Sequence, residues 1–266
     1  MFLDSYVTEI RSLETALQKA HRRLAAEADD EALHDLRIAV RRIRSLIAPL
    51  RSLPENQALR EAATEVGRLT TPTRDLEVLI AELRQRGEHA LGQARLPQLE
   101  EEHRQIVEAP QLARLFNELH QWPTAFQASA LAGDSRKLKR IIRKALDRQV
   151  GKLHKALDDA DFDRHRLRIL VKRTRYLTDA FPSLSPLSSK ATKSLKKVQA
   201  ALGAWHDHYQ WLLRSQQETD LQVLEPAWEE AAEQELAEAE TLLRKLAKVL
   251  PNHKKKHSGK KAKKRQ

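Results

Sequence analysis

Apolar positions recur along this chain at a period of about 3.6 residues, and no segment alternates apolar with polar over a β-branched run, so the pattern predicts helices throughout. The stretch that organises the rest is Ala32 to Leu50, ALHDLRIAVRRIRSLIAPL. Wound as a helix, Leu36, Ala39, Val40, Ile43, Leu46, Ile47 and Leu50 gather on one face, the apolar stripe of a core-facing helix. His34, Arg37, Arg41 and Arg44 fall in a sector of roughly 80° beside that stripe. Such a row is unfavourable in isolation, because like charges three or four residues apart cost about 0.2–0.5 kcal/mol per pair. The only acid between Ala32 and Pro54 is Asp35. The spacing therefore predicts a source of negative charge outside the helix.

The stretch recurs. Residues 163–177, DRHRLRILVKRTRYL, match it position for position: His165 answers His34, Arg168 answers Arg37, Lys172 answers Arg41, Arg173 answers Arg42 and Arg175 answers Arg44. The His165, Arg168, Lys172, Arg175 row again lies on one face, and no acid occurs from Arg164 to Thr178. Two copies of one basic helix predict an internal duplication with a two-fold-like arrangement.

Taken in order, the pattern predicts a first amphipathic helix over 3–28, with Leu13, Leu17 and Leu24 on its packing side. Asp29 and Asp30 are expected to end it and to cap the first motif helix. Pro49 and Pro54 close that helix, a third runs from Glu55 to Leu69, and a turn at Pro72 leads into a fourth, where Asp75 suits the positive N-terminal end. Pro97, Pro110, Pro123 and Gly133 are expected to cut residues 88–134 into short helices, the junction between halves. Ser135 to Ala160 is basic through Arg136, Lys139, Arg140, Arg143 and Lys144; the second motif helix spans Asp163 to Phe181. Ser188 to Leu202 carries Lys190, Lys193 and Lys197, after which LGAWHDHYQWLL parallels RLTTPTRDLEVLI, setting His206-Asp207 against Arg74-Asp75. A Glu-rich helix from Val223 to Val249 closes the chain. The predicted units are 1–133, 134–250 and a disordered Lys-rich tail, 251–266.

Composition and charge sharpen this picture. Seven glycines and ten prolines in 266 residues support an all-α fold, and 41% apolar content suffices for a core. The net charge is +11, but Lys254, Lys255, Lys256, Lys260, Lys261, Lys263, Lys264 and Arg265 supply eight of it, leaving +3 for the rest. Positive faces in the body must then be offset by acidic helices elsewhere, a segregation expected of a site. With no cysteine, disulfides, thiolate metal sites and cysteine nucleophiles are excluded. No apolar run approaches the ~20 residues of a membrane span, and the start lacks a signal-like pattern, so a soluble cytoplasmic protein is expected.

The two motif helices resemble the hallmark of the CHAD domain, the conserved-histidine α-helical domain: His-x-x-Arg-apolar-x-x-Arg/Lys-Arg-x-Arg, from His34 to Arg44 and again from His165 to Arg175, with the aromatic Tyr176 following the second copy. Leu202, Gly203 and Asp207 also agree with the family, whereas Trp205 and His206 are less typical and residues 88–134 depart from it. The resemblance implies two pseudo-symmetric helical bundles whose basic faces line a central groove or pore, binding inorganic polyphosphate without catalysis and without a cofactor. Storage-granule attachment, phosphate sensing and recruitment of a partner enzyme are the settings compatible with such binding.

Chemistry supports that implication. Arg grips phosphate oxygens with two parallel charge-assisted hydrogen bonds, and Lys adds a mobile point charge. The expected binding residues are His34, Arg37, Arg41, Arg44, His165, Arg168, Lys172 and Arg175, with Arg42, Arg173, Lys139, Arg143, Lys193 and Lys197 in a second rank. His34 and His165 either gain charge beside phosphate or stand neutral at a bundle interface. A metal-dependent phosphohydrolase reading of His34-Asp35 and His206-Asp207-His208 is disfavoured, since Arg-lined helices repel divalent cations. The strands with Glu-x-Glu-x-Lys of triphosphate tunnel enzymes are missing from the pattern. The rival reading is a nucleic-acid-binding module gripping the phosphate backbone, with the tail as a further nucleic-acid or polyanion contact. Base recognition would want aromatics near the rows, and only Tyr176 qualifies.

Overall fold

The computed structural model describes residues 2–129 and 131–251. The described residues are helical with no strand. Their contacts form two compact units, Met1–Ile142 and Arg143–Gln266, the division falling inside one helix rather than at the turn around Gly133. The expectation of a disordered tail concerns residues 252–266, outside those described.

The first unit holds α1 (Phe2–Ala25), α2 (Ala32–Ile47), α3 (Gln57–Leu69), α4 (Thr71–Gln85), the short α5 (His89–Ala94), α6 (Leu96–Glu108) and α7 (Pro110–Gln127), and the start of α8 (Ser135–Leu157). α1 packs on α2, and α3 on α7. The apolar stripe of α2 is buried as its spacing requires: Leu36, Ile43 and Ile47 are fully enclosed, each contributing about 1.5–3 kcal/mol. A ring cluster of Tyr6, Trp122 and Phe126 fills the space beside it, Trp122 stacking on Phe126 at 4.8 Å. Burial pushes the Tyr6 phenol far above its ordinary pKa, and its hydroxyl donates to the Leu46 carbonyl at 3.0 Å.

The turns differ from expectation in three places. The N-cap position of α2 is Glu31, which makes no side-chain cap, and Asp29 lies two residues before it. Asp29 instead accepts the Glu31 backbone N–H at 3.0 Å and pairs with Arg23 at 2.5 Å. Pro72 lies in the first turn of α4, where its missing N–H costs nothing, so the break between α3 and α4 is the single residue Thr70. Pro123 does not interrupt α7. The missing bond to the Leu119 carbonyl is offset by the burial of Leu119, Trp122 and Phe126 on the same helix.

The second unit holds the rest of α8, α9 (Arg164–Ala180), α10 (Ser189–Ser215) and α11 (Glu225–Ala247), the last preceded by a 3₁₀ segment, Thr219–Leu224. Asp163 caps α9 by accepting the Arg166 N–H at 2.8 Å, and Ser188 caps α10 through the Ala191 N–H at 3.2 Å. α10 runs straight through Leu202, where the pattern predicts a boundary: it joins in one 27-residue helix what the first unit divides between α3 and α4. No proline falls in it. Val150, Leu167, Val171, Leu195, Val198, Leu202, Leu243 and Leu246 make the shared core of α8 to α11.

Candidate anion-binding site

In the first unit, the buried stripe of α2 turns the His34, Arg37, Arg41 row to a half-buried position and leaves Arg44 exposed. Asp35, the lone acid of this helix, is held by Arg23 at 2.5 Å. Arg37 reaches the α3–α4 junction, where Nη1 donates to Thr70 Oγ1 at 2.7 Å and Thr71 Oγ1 at 3.2 Å. Those hydroxyls in turn donate to the carbonyls of Val66 at 2.9 Å and Gly67 at 2.7 Å. The guanidinium is thereby aimed and fixed at the start of α4. Burial lowers its pKa, with Arg41 and Arg74 acting the same way and Asp75 and Glu77 opposing. Arg44 lies across α3 at Gly67: a Cβ at that glycine would stand 2.8 Å from Arg44 Nη1.

In the second unit, α9 sets His165, Arg168, Lys172 and Arg175 at half-buried positions along one side. His165 enters a set of rings on α10, with centroids 4.7 Å from Trp205, 4.8 Å from Tyr209 and 5.4 Å from His206. Trp205 is buried, while Tyr209 retains 37% exposure. Burial, then Arg168, His165 and Lys172 in that order, hold the His206 pKa down to about 4. Arg175 Nε is 3.3 Å from Asp179, and its guanidinium lies 5.7 Å from the centre of the Tyr176 ring.

The second-rank residues separate from these rows. Arg42 and Arg173 project about 140° around their helices from Arg37 and Arg168. Both are exposed, and Arg42 pairs with Glu9 of α1 at 2.6 Å. Lys193 and Lys197 are exposed on α10, about 140–180° around it from His206. Lys139 lies over the Phe2 ring at 5.0 Å and Arg143 is exposed, each on α8. The sequence pattern does not mark Thr70, Thr71 and Gly67 as supports of the first row. Trp205 and His206 stand out in it, but not as the surroundings of His165; the four-residue spacing of Trp205 and Tyr209 is the one signal of that role.

The chain resembles known proteins in both sequence and fold. The family model described as CHAD domain matches residues 10–216. The crystal structure of the CHAD domain from the plant Ricinus communis is similar in fold, with a TM-score of 0.68, 23% identity, and 93% of this chain and 91% of that chain covered. PptA from Streptomyces chartreusis is similar with a TM-score of 0.59 and 18% identity, over 91% of this chain and 99% of that chain. No curated protein matches the sequence.

Proposed function

On the premise that the chain belongs to the CHAD domain family, we propose that it binds inorganic polyphosphate through the cation rows of α2 and α9 and catalyses no reaction on it. The observation that carries this reading is the repetition of one surface. On both motif helices a buried apolar stripe is flanked by His, Arg and Arg or Lys at matching positions, half-buried or exposed beside it. A linear polyanion sheds condensed counterions on such rows, so modest contacts sum to strong, salt-sensitive binding. Each row is taken within its own unit.

A second reading, nucleic-acid binding by the phosphate backbone, gains from one feature: the exposed Tyr209 ring beside His165 offers a base-stacking surface that the sequence rows lack. A salt-matched competition on the full chain decides between them. Long-chain polyphosphate is expected to displace labelled single- and double-stranded DNA at equal phosphate concentration; the reverse ranking would move the function to nucleic acid.

Two further outcomes follow from the same reading. A chain ending at Pro251 is expected to keep its polyphosphate affinity, measured by titration calorimetry, and its loss would transfer the function to the terminal lysines. Gly67→Ala is expected to lower that affinity a few-fold by displacing the Arg44 guanidinium. Helix propensity favours Ala over Gly by about 1 kcal/mol, so thermal stability should hold or rise. No described helix is long and apolar enough to cross a membrane, which is compatible with a cytoplasmic, granule-associated role.

A further inference from the structure

One titratable group of the second unit stands beside the cation row without belonging to it. The His206 ring meets that of His165 edge to face at 5.4 Å and lies 6.4 Å from Trp205. Its Nδ1 is buried with no hydrogen-bond partner. Leaving a buried polar nitrogen so forfeits the hydrogen bond it would make in water, a loss of stability that packing alone does not explain.

The charged groups that act on this ring are Arg168, His165 and Lys172, all on α9. On its own helix its neighbours in sequence are Trp205 and Asp207. The acid that α11 sends to this stretch, Glu235, is engaged by His208 Nδ1 at 2.7 Å. In the first unit the aligned position is Arg74, a permanent cation balanced by Glu77 at 2.7 Å. The two halves thus differ here in kind: a fixed, paired charge in one, a titratable and unpartnered ring in the other.

We propose that His206 is a further phosphate-binding residue of the second unit, one that takes up a proton when a phosphate chain occupies the row of Arg168 and Lys172. The inference rests on the polyphosphate reading above. Phosphate oxygens reverse the local field, so the imidazolium becomes the favoured form. The proton comes from the buffered solvent, and no bond to phosphorus forms or breaks. The row then gains a cation only when the polymer is present.

This assignment fixes the sign of the pH dependence. Without ligand the ring stays neutral down to about pH 4, whereas an unfolded chain protonates it near pH ~6.5. Acidification between those values therefore favours the unfolded state. Bound phosphate works the other way: if it lifts the ring's pKa to about 6, binding tightens about tenfold from pH ~7.5 to pH ~5.

The test is titration calorimetry of medium-chain polyphosphate into the full chain at pH ~6, in two buffers of different ionisation enthalpy, for the native chain and His206→Asn. The difference between proteins cancels protons exchanged by the ends of the polymer. The native chain is expected to take up about half a proton more per site than the variant. Equal uptake with binding retained overturns the role of His206 and leaves the polyphosphate reading standing. No binding by the native chain overturns both. Should the variant misfold, the NMR titration of the His206 ring in the native chain decides alone: a pKa that rises with added polyphosphate is expected, and one that does not move refutes the proposal.

Discussion

Replacing Arg37 and Arg168 together by alanine is expected to weaken binding of long-chain polyphosphate by at least about a hundredfold at low salt. A hydrogen bond to a charged group contributes about 1.5–3 kcal/mol, roughly tenfold or more for each arginine removed. The salt dependence should flatten as well, the slope of log affinity against log salt shrinking by about 1.4 because two phosphates are no longer neutralised. The two residues are not equivalent in their effect on folding. Arg37 also ties α2 to Thr70 and Thr71, so its removal carries a stability cost of about 1 kcal/mol that must be read separately by thermal unfolding. Unchanged affinity in a folded double variant would discredit the site.

The largest effect on folding is expected at Asn56. It is fully buried beside α3, its Oδ1 accepting the Trp122 indole N–H at 2.6 Å and its Nδ2 donating to the Leu50 carbonyl at 3.2 Å. Asn56→Ala strands the buried Trp122 indole N–H, leaves the Leu50 carbonyl with only the Leu53 backbone N–H, and opens a small void. The expected loss is about 2–4 kcal/mol, seen as a midpoint lowered by roughly 10 °C in a melt followed by circular dichroism. Well below that midpoint, polyphosphate affinity should be unaltered. A melt indistinguishable from the native one would mean that the Trp122–Asn56 bond contributes nothing.

These two variants separate what the chain discloses locally from what it discloses only when folded. The faces of α2 and α9 are legible in the sequence because burial at Leu36, Ile43 and Ile47, and at Leu167 and Val171, follows helical spacing alone. Duplication makes the cation rows legible for the same reason. Pairings between distant segments are not: nothing local tells that Glu9 takes Arg42, or that Arg23 takes Asp35. Proline is a weaker breaker here than its chemistry suggests. Pro123 lies within α7 because the surrounding apolar contacts outweigh one missing backbone bond, and Pro72 opens a helix rather than ending one. The surroundings of His165 are hidden because they come from α10, whose Trp205 and Tyr209 are one helical turn apart but show no link to His165 until the two helices meet.

A helix with no joint behaves as a strut. α10 is about 40 Å of continuous rod, so every side chain it carries holds its spacing at about 1.5 Å per residue whatever lies against it. α3 and α4 meet instead at a pivot, Thr70, latched by Arg37. Under the proposed function, a flexible polymer would conform both to the pitch of the rod and to the angle that Arg37 holds at Thr70. The chain thus pairs a gauge with a grip.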